Sequence, residues 1–471
     1  MNYHRYFSAV KAVETCLVGT GGFGRSFLAQ GLHVPLMTAR VAVDLDAQSV
    51  VRTMCEVGIP ADRIRVCNSA SEAKEAWEEG DFIATADLSV VIDLPFDVLV
   101  EATGHPESGA RHSRMAVEAG KHLALVSKEV DSVVGSGLAR MAAQRGLVVT
   151  PVDGDQPSLL IGLVTWAQTM GFEIVAAGKA SEYDFVFDPE AETLSANGTT
   201  VPVPGFSNVW VWGERTAAEI CGLRADFAAA LPQRAVPDLC ELLIVANATG
   251  FAPDVANLHA PIARICDVPD LLCEKADGGL LAGCGRLDVF HCLRRPEEIS
   301  FAGGVFVVVR CRDKASWEML AAKGHVVSRD LRHALLYLPR HLLGLEAATS
   351  VLEAALLGVS SGGISPRPHF DLIARAERDL PAGTLLHMGG HHHTIDGVSS
   401  ELVPAVVLGD GQPAPFYLAA NRCLVRDVAK GETIDFDHLA IEPESELLAL
   451  RRIQDRFFLD GATNESLAEA S

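Results

Sequence analysis

The run Gly19-Thr20-Gly21-Gly22-Phe23-Gly24 places the glycines of a G-x-G-x-x-G pattern just ahead of an apolar helical stretch, and Asp44 follows twenty residues beyond Gly24. Each glycine has a physical use at a pyrophosphate: Gly19 permits the tight turn, Gly21 lets the backbone approach, and Gly24 lets helix and strand pack closely. The helix N-terminus adds free N–H groups and positive potential. Asp44 suits a ribose diol and repels a 2′-phosphate, which favours NAD over NADP. Arg63 and Lys74 keep NADP open, whereas Arg40 starts the strand that ends in Asp44 and is poorly placed to reach a phosphate. DVLVEATG (97–104) ends another strand, so Glu101, Ala102, Thr103 and Gly104 are expected to border the nicotinamide and its ribose.

Hydride transfer at a carbon that bears oxygen needs a cation or acid beside that oxygen and a group to manage its proton. Lys179, after EIVAAG, is the first candidate for that cation, with Gly178 beside it to let the backbone approach a ligand; Lys128 at a strand end is the second. Asp153 and Asp155 flank Gly154 and are candidates to hold substrate hydroxyls, accept a proton or join a metal site. Asp155 before Gln156-Pro157 also reads as a helix N-cap, and the two roles are compatible.

Glu182 and Asp184 face one way in an extended segment, so with Asp153 or Asp155 they would complete an oxygen-ligand site for Mg²⁺ or Mn²⁺. A solvated acidic turn is the plainer alternative. A substrate phosphate would want Lys323, His325, Arg329, Arg340 or His341, each of which also reads as an ordinary surface or core polar residue. His391-His392-His393 invites a metal reading, but three consecutive side chains on an extended chain do not converge on one ion, and the flanking glycines make this a loop. Cys284, His291 and Cys292 lack a fourth partner at zinc spacing and read as buried core.

The elements that must position these groups alternate regularly. Strand signals at 12–18, 41–43, 97–101, 122–126 and 147–152 are separated by helical patterns at 23–32, 47–57, 71–79, 107–119 and 133–145. Repeated β-α units predict a mostly parallel sheet covered on both faces. After Asp153 the texture changes: 159–170 is apolar nearly all round and reads as a buried helix, followed by strands at 172–177 and 305–310. The stretch 195–208 reads as an excursion, and 333–356 reads as mostly helical, interrupted at Pro339. SSGGISPRP (360–368) reads as a linker. Short β-prone runs follow, including 403–408, and the tail from 444 to 459 reads as a helix with a frayed end. The expected domains are 1–155, 156–360 and 368–445, with a helix and tail over 446–471.

Composition sets outer limits. The chain has 471 residues, 49% of them hydrophobic, enough for several cores. Thirty-nine Lys and Arg against 61 Asp and Glu give a net charge of −22, which argues against nucleic acid or anionic membrane as a partner and leaves a small molecule. Eleven scattered cysteines without a disulfide spacing point to a reducing cytoplasm. No uncharged run reads as a membrane span and the opening residues lack the apolar core of a secretory signal.

GTGGFG, VEATG and GKHLALVSK (120–128) together resemble the homoserine dehydrogenase-like oxidoreductases, in which Lys128 looks like the strand-end lysine. VDGDQPSLLIGLVTWAQTMGFEIVAAGKASEYD, GGVFVVVR, KGHVVSR and HLLGLE resemble the subgroup that carries an additional C-terminal SAF-type domain, and AERDLPAGTLL with VRDVAKGETIDFDHL looks like its paired segments. The resemblance spans about residues 12–441. It implies an α/β architecture: a Rossmann doubly wound parallel sheet, a second α/β substrate domain, and a small β-rich SAF-like domain whose loop carries the three histidines.

The subgroup includes the deoxyxylulose 5-phosphate reductoisomerase-like enzymes. The resemblance therefore implies isoprenoid chemistry with NADPH and a divalent cation, in a homodimer or higher homo-oligomer. The expected activity is NAD(P)H-dependent reduction of a small hydroxylated carbonyl compound, with Lys179 polarising the carbonyl and Asp153 or Asp155 handling hydroxyl protons. A semialdehyde or sugar-acid dehydrogenase and a non-catalytic nucleotide sensor are the alternatives, since one fold hosts many chemistries.

Overall fold

The computed structural model describes residues 2–8, 11–182, 184–390 and 393–460. After the short helix α1 (Tyr3–Tyr6), strands β1 (Val13–Val18), β2 (Met37–Val43), β3 (Ile64–Val66), β4 (Phe82–Thr85), β5 (Val98–Glu101), β6 (His122–Leu125) and β7 (Val149–Pro151) form one parallel sheet in the order β3-β4-β2-β1-β5-β6-β7. The connections carry α2 (Gly22–Gly31), α3 (Ala47–Glu56), α4 (Ala70–Glu79), α5 (Pro106–Glu118) and α6 (Lys128–Ala143). The order reverses about β1, so the segments that leave the carboxyl ends of the paired β1 and β5 run to opposite faces, where a doubly wound sheet leaves its ligand crevice. Alternate residues of β1 feed two cores: Leu17 packs with Phe27 and Met54, and Cys16 and Val18 pack with Val117 and Val130.

The second sheet is mixed. Helix α7 (Gln156–Thr169) leads into β8 (Ile174–Ala180), and β9 (Phe185–Asp188), β10 (Thr193–Ala196) and β11 (Thr199–Pro202) form a meander. Helices α8 (Ser207–Trp210), α9 (Ala217–Phe227) and α10 (Val236–Thr249) follow. Short strands β12 (Ala252–Pro253) and β13 (Ile262–Ala263) both attach to β14 (Arg286–Arg294), with α11 (Val268–Leu271) before it and β15 (Val305–Arg310), α12 (Lys314–Ala322) and β16 (His333–Leu338) after it. The path is β11-β10-β9-β14-β8-β15-β16, with α7 and α10 on the face towards the first sheet's core. The predicted helix over 333–356 is therefore corrected. HALLYL pairs residue by residue with β15, and helix returns only in α13 (Ala348–Leu352). A short apolar run satisfies either period, and pairing along the whole of β15 decides it.

His291 and Cys292 lie inside β14 and are buried, in keeping with core residues, whereas Cys284 is exposed and not core as expected. The segment 360–368 is no free linker: Ser361 N donates to Thr150 Oγ1 at 2.9 Å, and a Cβ on Gly362 would lie 2.4 Å from Pro151.

The C-terminal lobe pairs β17 (Phe370–Ala376) with β20 (Val398–Pro404), and β18 (Met388–Gly389) with β19 (Thr394–Ile395) in a small hairpin. β20 covers the start of the predicted 403–408 run and ends at Pro404. Helix α14 (Phe416–Ala419) and α15 (Glu446–Phe458) complete the lobe. Arg451, buried in α15, grips Asp371 at 2.6 Å and Asp455 at 2.7 Å. The same helix docks on the first domain, where Gln454 Oε1 accepts from Gly137 N at 2.8 Å. The frayed end expected for the tail lies outside the described residues, as do His391 and His392. No helix among the described residues is long and apolar enough to cross a membrane.

Candidate active site

The glycine bend follows from its sequence. Gly19 has φ +97°, and a Cβ there would lie 2.5 Å from Ala102 O. A Cβ on Gly24 would lie 2.0 Å from Gly19 O, so this glycine sets how closely α2 meets β1. Among the described residues, nothing lies within 4 Å of where a Cβ would stand on Gly21 or Gly22, and no side chain caps α2. The bend is thus an open cradle of first-turn amides, which fits a dinucleotide pyrophosphate. Gly24→Ala should destabilise the fold by about 1–3 kcal/mol in urea denaturation, because the contact it violates is backbone.

Asp44 closes the bend: its Oδ2 accepts from Thr20 N at 2.8 Å and Thr20 Oγ1 at 2.6 Å, and its Oδ1 accepts from Leu45 N at 2.7 Å. Burial pushes its carboxyl up, but these hydrogen bonds outweigh it and hold the group below its ordinary value. Asp44 therefore shapes the bend, a role that spacing alone did not indicate. Arg40 donates to Asp81 O at 2.9 Å and lies over the Trp77 ring, and Arg63 donates to Gly80 O at 2.8 Å.

A cavity of about 360 Å³ opens beside the cradle. Gly22, Phe23, Ala102 and Gly104 line one part of it; Lys128, Asp155, Glu182 and Glu241 line another. Thr103 is not in its wall: its Oγ1 donates to the buried Glu101 at 2.6 Å, and Gly104 N donates to Ser127 Oγ at 2.8 Å.

The chemical centre is a chain of alternating charge. Glu241 bonds Lys128 with one carboxylate oxygen and Lys179 with the other. Lys179 also meets Asp238 at 2.9 Å and Glu182 at 3.7 Å, and Lys128 meets Asp155 at 3.8 Å. Asp238 and Glu241 share a face of α10 at i, i+3 spacing. The side chain of Lys128 is 23% exposed against 1% for Lys179. Lys128 thus faces the cavity, and Lys179, the first candidate, sits behind Glu241. Gly178 serves the sheet, since a Cβ there would lie 1.9 Å from Asp288 O of β14.

Burial favours the neutral form of both lysines, yet the carboxylates around them win and raise both above the ordinary lysine range. Glu241 resolves the same way: burial pushes it up, the two ammonium groups pull harder, and its carboxyl falls to about 2. Asp155 is raised above its ordinary value by burial, which Lys128 counters only in part.

Asp155 caps α7 through Gln156 N at 2.9 Å, as expected, and also lines the cavity. Asp153 does not reach the cavity. Its oxygens accept from Ser158 Oγ at 2.5 Å and Thr349 Oγ1 at 2.6 Å, which staples β7 to α7 and α13. Asp184 is turned away to Arg294 at 2.6 Å, and the chain bends at Glu182.

The predicted four-carboxylate metal set is thus not assembled. Glu182 instead shares a cluster with Asp238 and Glu241, whose ligand oxygens lie within 4.8 Å of one another. The ammonium of Lys179 stands among those oxygens, so the cluster as built fits a lysine, and a divalent ion there would have to displace it.

The proposed phosphate donors also separate. His341 lines the cavity, with its Nδ1 3.2 Å from Gly303 O, while Arg340 pairs with Glu346. Lys323, His325 and Arg329 are not in the wall, and Arg329 meets Asp270 at 3.4 Å over the Trp212 ring. β16 is the reason: an extended strand of six residues spans about 20 Å and keeps its two ends apart.

The wall also holds Glu129, in the first turn of α6, which the motifs missed, and His393 of the C-terminal hairpin, which the sequence placed in a loop. Asp238 and Glu241 were missed as well, although two carboxylates inside the apolar run VPDLCELLIVA are a signal, since such groups are seldom buried without partners.

Residues 154–347 match the family model of the catalytic domain of the oxidoreductase DRL. A 1-deoxy-D-xylulose 5-phosphate reductoisomerase from Xanthomonas euvesicatoria pv. vesicatoria (strain 85-10) is 29% identical over 134 residues, 28% of this chain. The chain spans about a third of that relative's length, 32%. A solved DOX-P reductoisomerase with fosmidomycin and magnesium shares 17% identity at TM-score 0.27, covering 36% of this chain and 46% of its own. The WlbA dehydrogenase from Bordetella pertussis with NADH and UDP-GlcNAcA shares 15% identity at TM-score 0.27, covering 37% and 48%. The span that matches this oxidoreductase domain holds Lys179, Glu182, Asp238, Glu241 and His341.

Proposed function

We propose that the chain is an NAD(P)H-dependent oxidoreductase acting on a small, unphosphorylated, hydroxylated carbonyl compound. The observation that carries this reading is Lys128, an ammonium fixed by Glu241 on the wall of a cavity that the glycine cradle also borders. A nicotinamide, when bound, supplies the hydride. The chain's own residues do the rest. The amides of Gly21 and Gly22 hold the pyrophosphate, and Ala102 and Gly104 border the nicotinamide end. Lys128 takes the role first expected of Lys179, holding the substrate oxygen where negative charge develops. Asp155 accepts a hydrogen bond from a neighbouring hydroxyl. Glu129, Asp155, Glu182 and Glu241 in the wall speak against a phosphate.

A phosphorylated ketose that first rearranges is the second reading, favoured by the 29% identity to a 1-deoxy-D-xylulose 5-phosphate reductoisomerase. Purified protein with NADPH or NADH, tested on semialdehydes, sugar acids and phosphorylated ketoses with and without Mn²⁺, separates the two. Turnover of an unphosphorylated compound without metal is the expected result. Turnover confined to phosphorylated ketoses with Mn²⁺ supports the second reading, and calorimetry without heat for either coenzyme overturns both.

A further inference from the structure

His393 belongs to the hairpin between β18 and β19 and reaches a cavity built otherwise by the first two domains. Its Nδ1 lies 2.5 Å from Oε1 of Glu129, a residue 264 positions away that is 4% exposed. Gly104, at the nicotinamide end, makes room for the ring: a Cβ there would lie 2.4 Å from Cε1 of His393. The backbone of His393 has φ +48°, a left-handed conformation that costs a non-glycine residue energy and is found where side chains are held for use. The lobe that carries it is anchored, with Arg422 on Glu107 at 2.9 Å and Gln454 on Gly137.

We propose that the C-terminal lobe completes the active site by supplying His393, oriented by Glu129, as its proton-transfer residue. This rests on the oxidoreductase reading. With Nδ1 held by the carboxylate, Nε2 is the ring atom left for a ligand. The two lysines are poor proton donors near neutrality, because their carboxylate neighbours keep them charged. In reduction, the carbonyl carbon accepts a hydride with its electron pair from the reduced nicotinamide, and the C=O π pair moves to oxygen. That oxygen takes the proton of Nε2. The carbonyl becomes an alcohol, the nicotinamide is oxidised, and water reprotonates the imidazole. Glu129 raises the proton affinity of His393 and Lys128 lowers it; both lie on α6 and are the charged groups that act on the ring.

The test joins NMR of histidine-labelled protein to kinetics. The His393 resonance, assigned with His393→Gln, should titrate above free histidine, fall in Glu129→Gln, and shift when NADPH is added. On whichever panel compound turns over, His393→Gln and His393→Asn should lower kcat by about 10²–10⁴-fold. NADPH affinity should stay within threefold. In Glu129→Gln the loss of reduction rate with rising pH should move to lower pH, which a merely structural contact would not produce. NADPH binding with undiminished kcat in both His393 variants, or a His393 resonance blind to NADPH, overturns the proposal alone. Wild-type protein that binds neither coenzyme overturns the oxidoreductase reading and this proposal with it.

Discussion

Lys128→Met will lower turnover by about 10²–10³-fold, the range seen when one preorganised donor to a developing oxyanion is removed. Methionine keeps most of the stem, so packing in the first turn of α6 survives while the positive charge is lost. Glu241 retains Lys179 as a partner and is not left as an isolated buried charge. The defect should therefore appear in kcat, with NADPH affinity and melting temperature close to wild type, because the cradle at Gly21 and Gly22 lies in another loop. Lys179→Met is the comparison. Lys179 is 1% exposed, so its loss acts through the charge balance around Glu241, Asp238 and Glu182, and the expected effect is chiefly on stability. A Lys179 variant more damaged in kcat than the Lys128 variant, at equal stability, would restore the order that the sequence suggested.

That order could not be read from the sequence, because it depends on α10. Both lysines end strand-like segments, and which of them faces solvent is decided by the helix that lays Glu241 between them. The apolar texture of VPDLCELLIVA reads as core and hides its two carboxylates. Features held by contacts close in the chain were legible. The bend at Gly19–Gly24, Asp44 at a strand end and the cap at Asp155 each follow from turn chemistry and short-range geometry.

Features held by long-range contacts were not. His393 meets Glu129 only because the C-terminal lobe folds back over the first domain. HALLYL becomes a strand only because β15 offers an edge, and that single change scattered the cluster of cations assembled from 323–341. Asp153 and Asp184 carry the right chemistry but are claimed by Ser158, Thr349 and Arg294.

Glu241→Leu should cost about 3–5 kcal/mol of stability, the range for removing one partner of a buried ion pair. Glu241 is 1% exposed and bonds two ammonium groups, so leucine leaves Lys179 with Asp238 and Glu182, and Lys128 with Asp155 at 3.8 Å. Glu241→Gln keeps the shape and separates charge from packing. The native carboxyl lies at about 2, below its ordinary 4.5, despite burial and because of the two lysines. A group whose folded-state pKa is depressed contributes stability that is complete above its unfolded value and lost as pH falls through the folded one. Wild-type protein should therefore lose stability between about pH 4.5 and pH 2 through this group, and that component of the slope should vanish in Glu241→Gln. Urea denaturation of both proteins across that interval measures it. Equal slopes would mean that the carboxylate is not the charge that holds Lys128 towards the cavity, and the catalytic role given to Lys128 would lose its anchor.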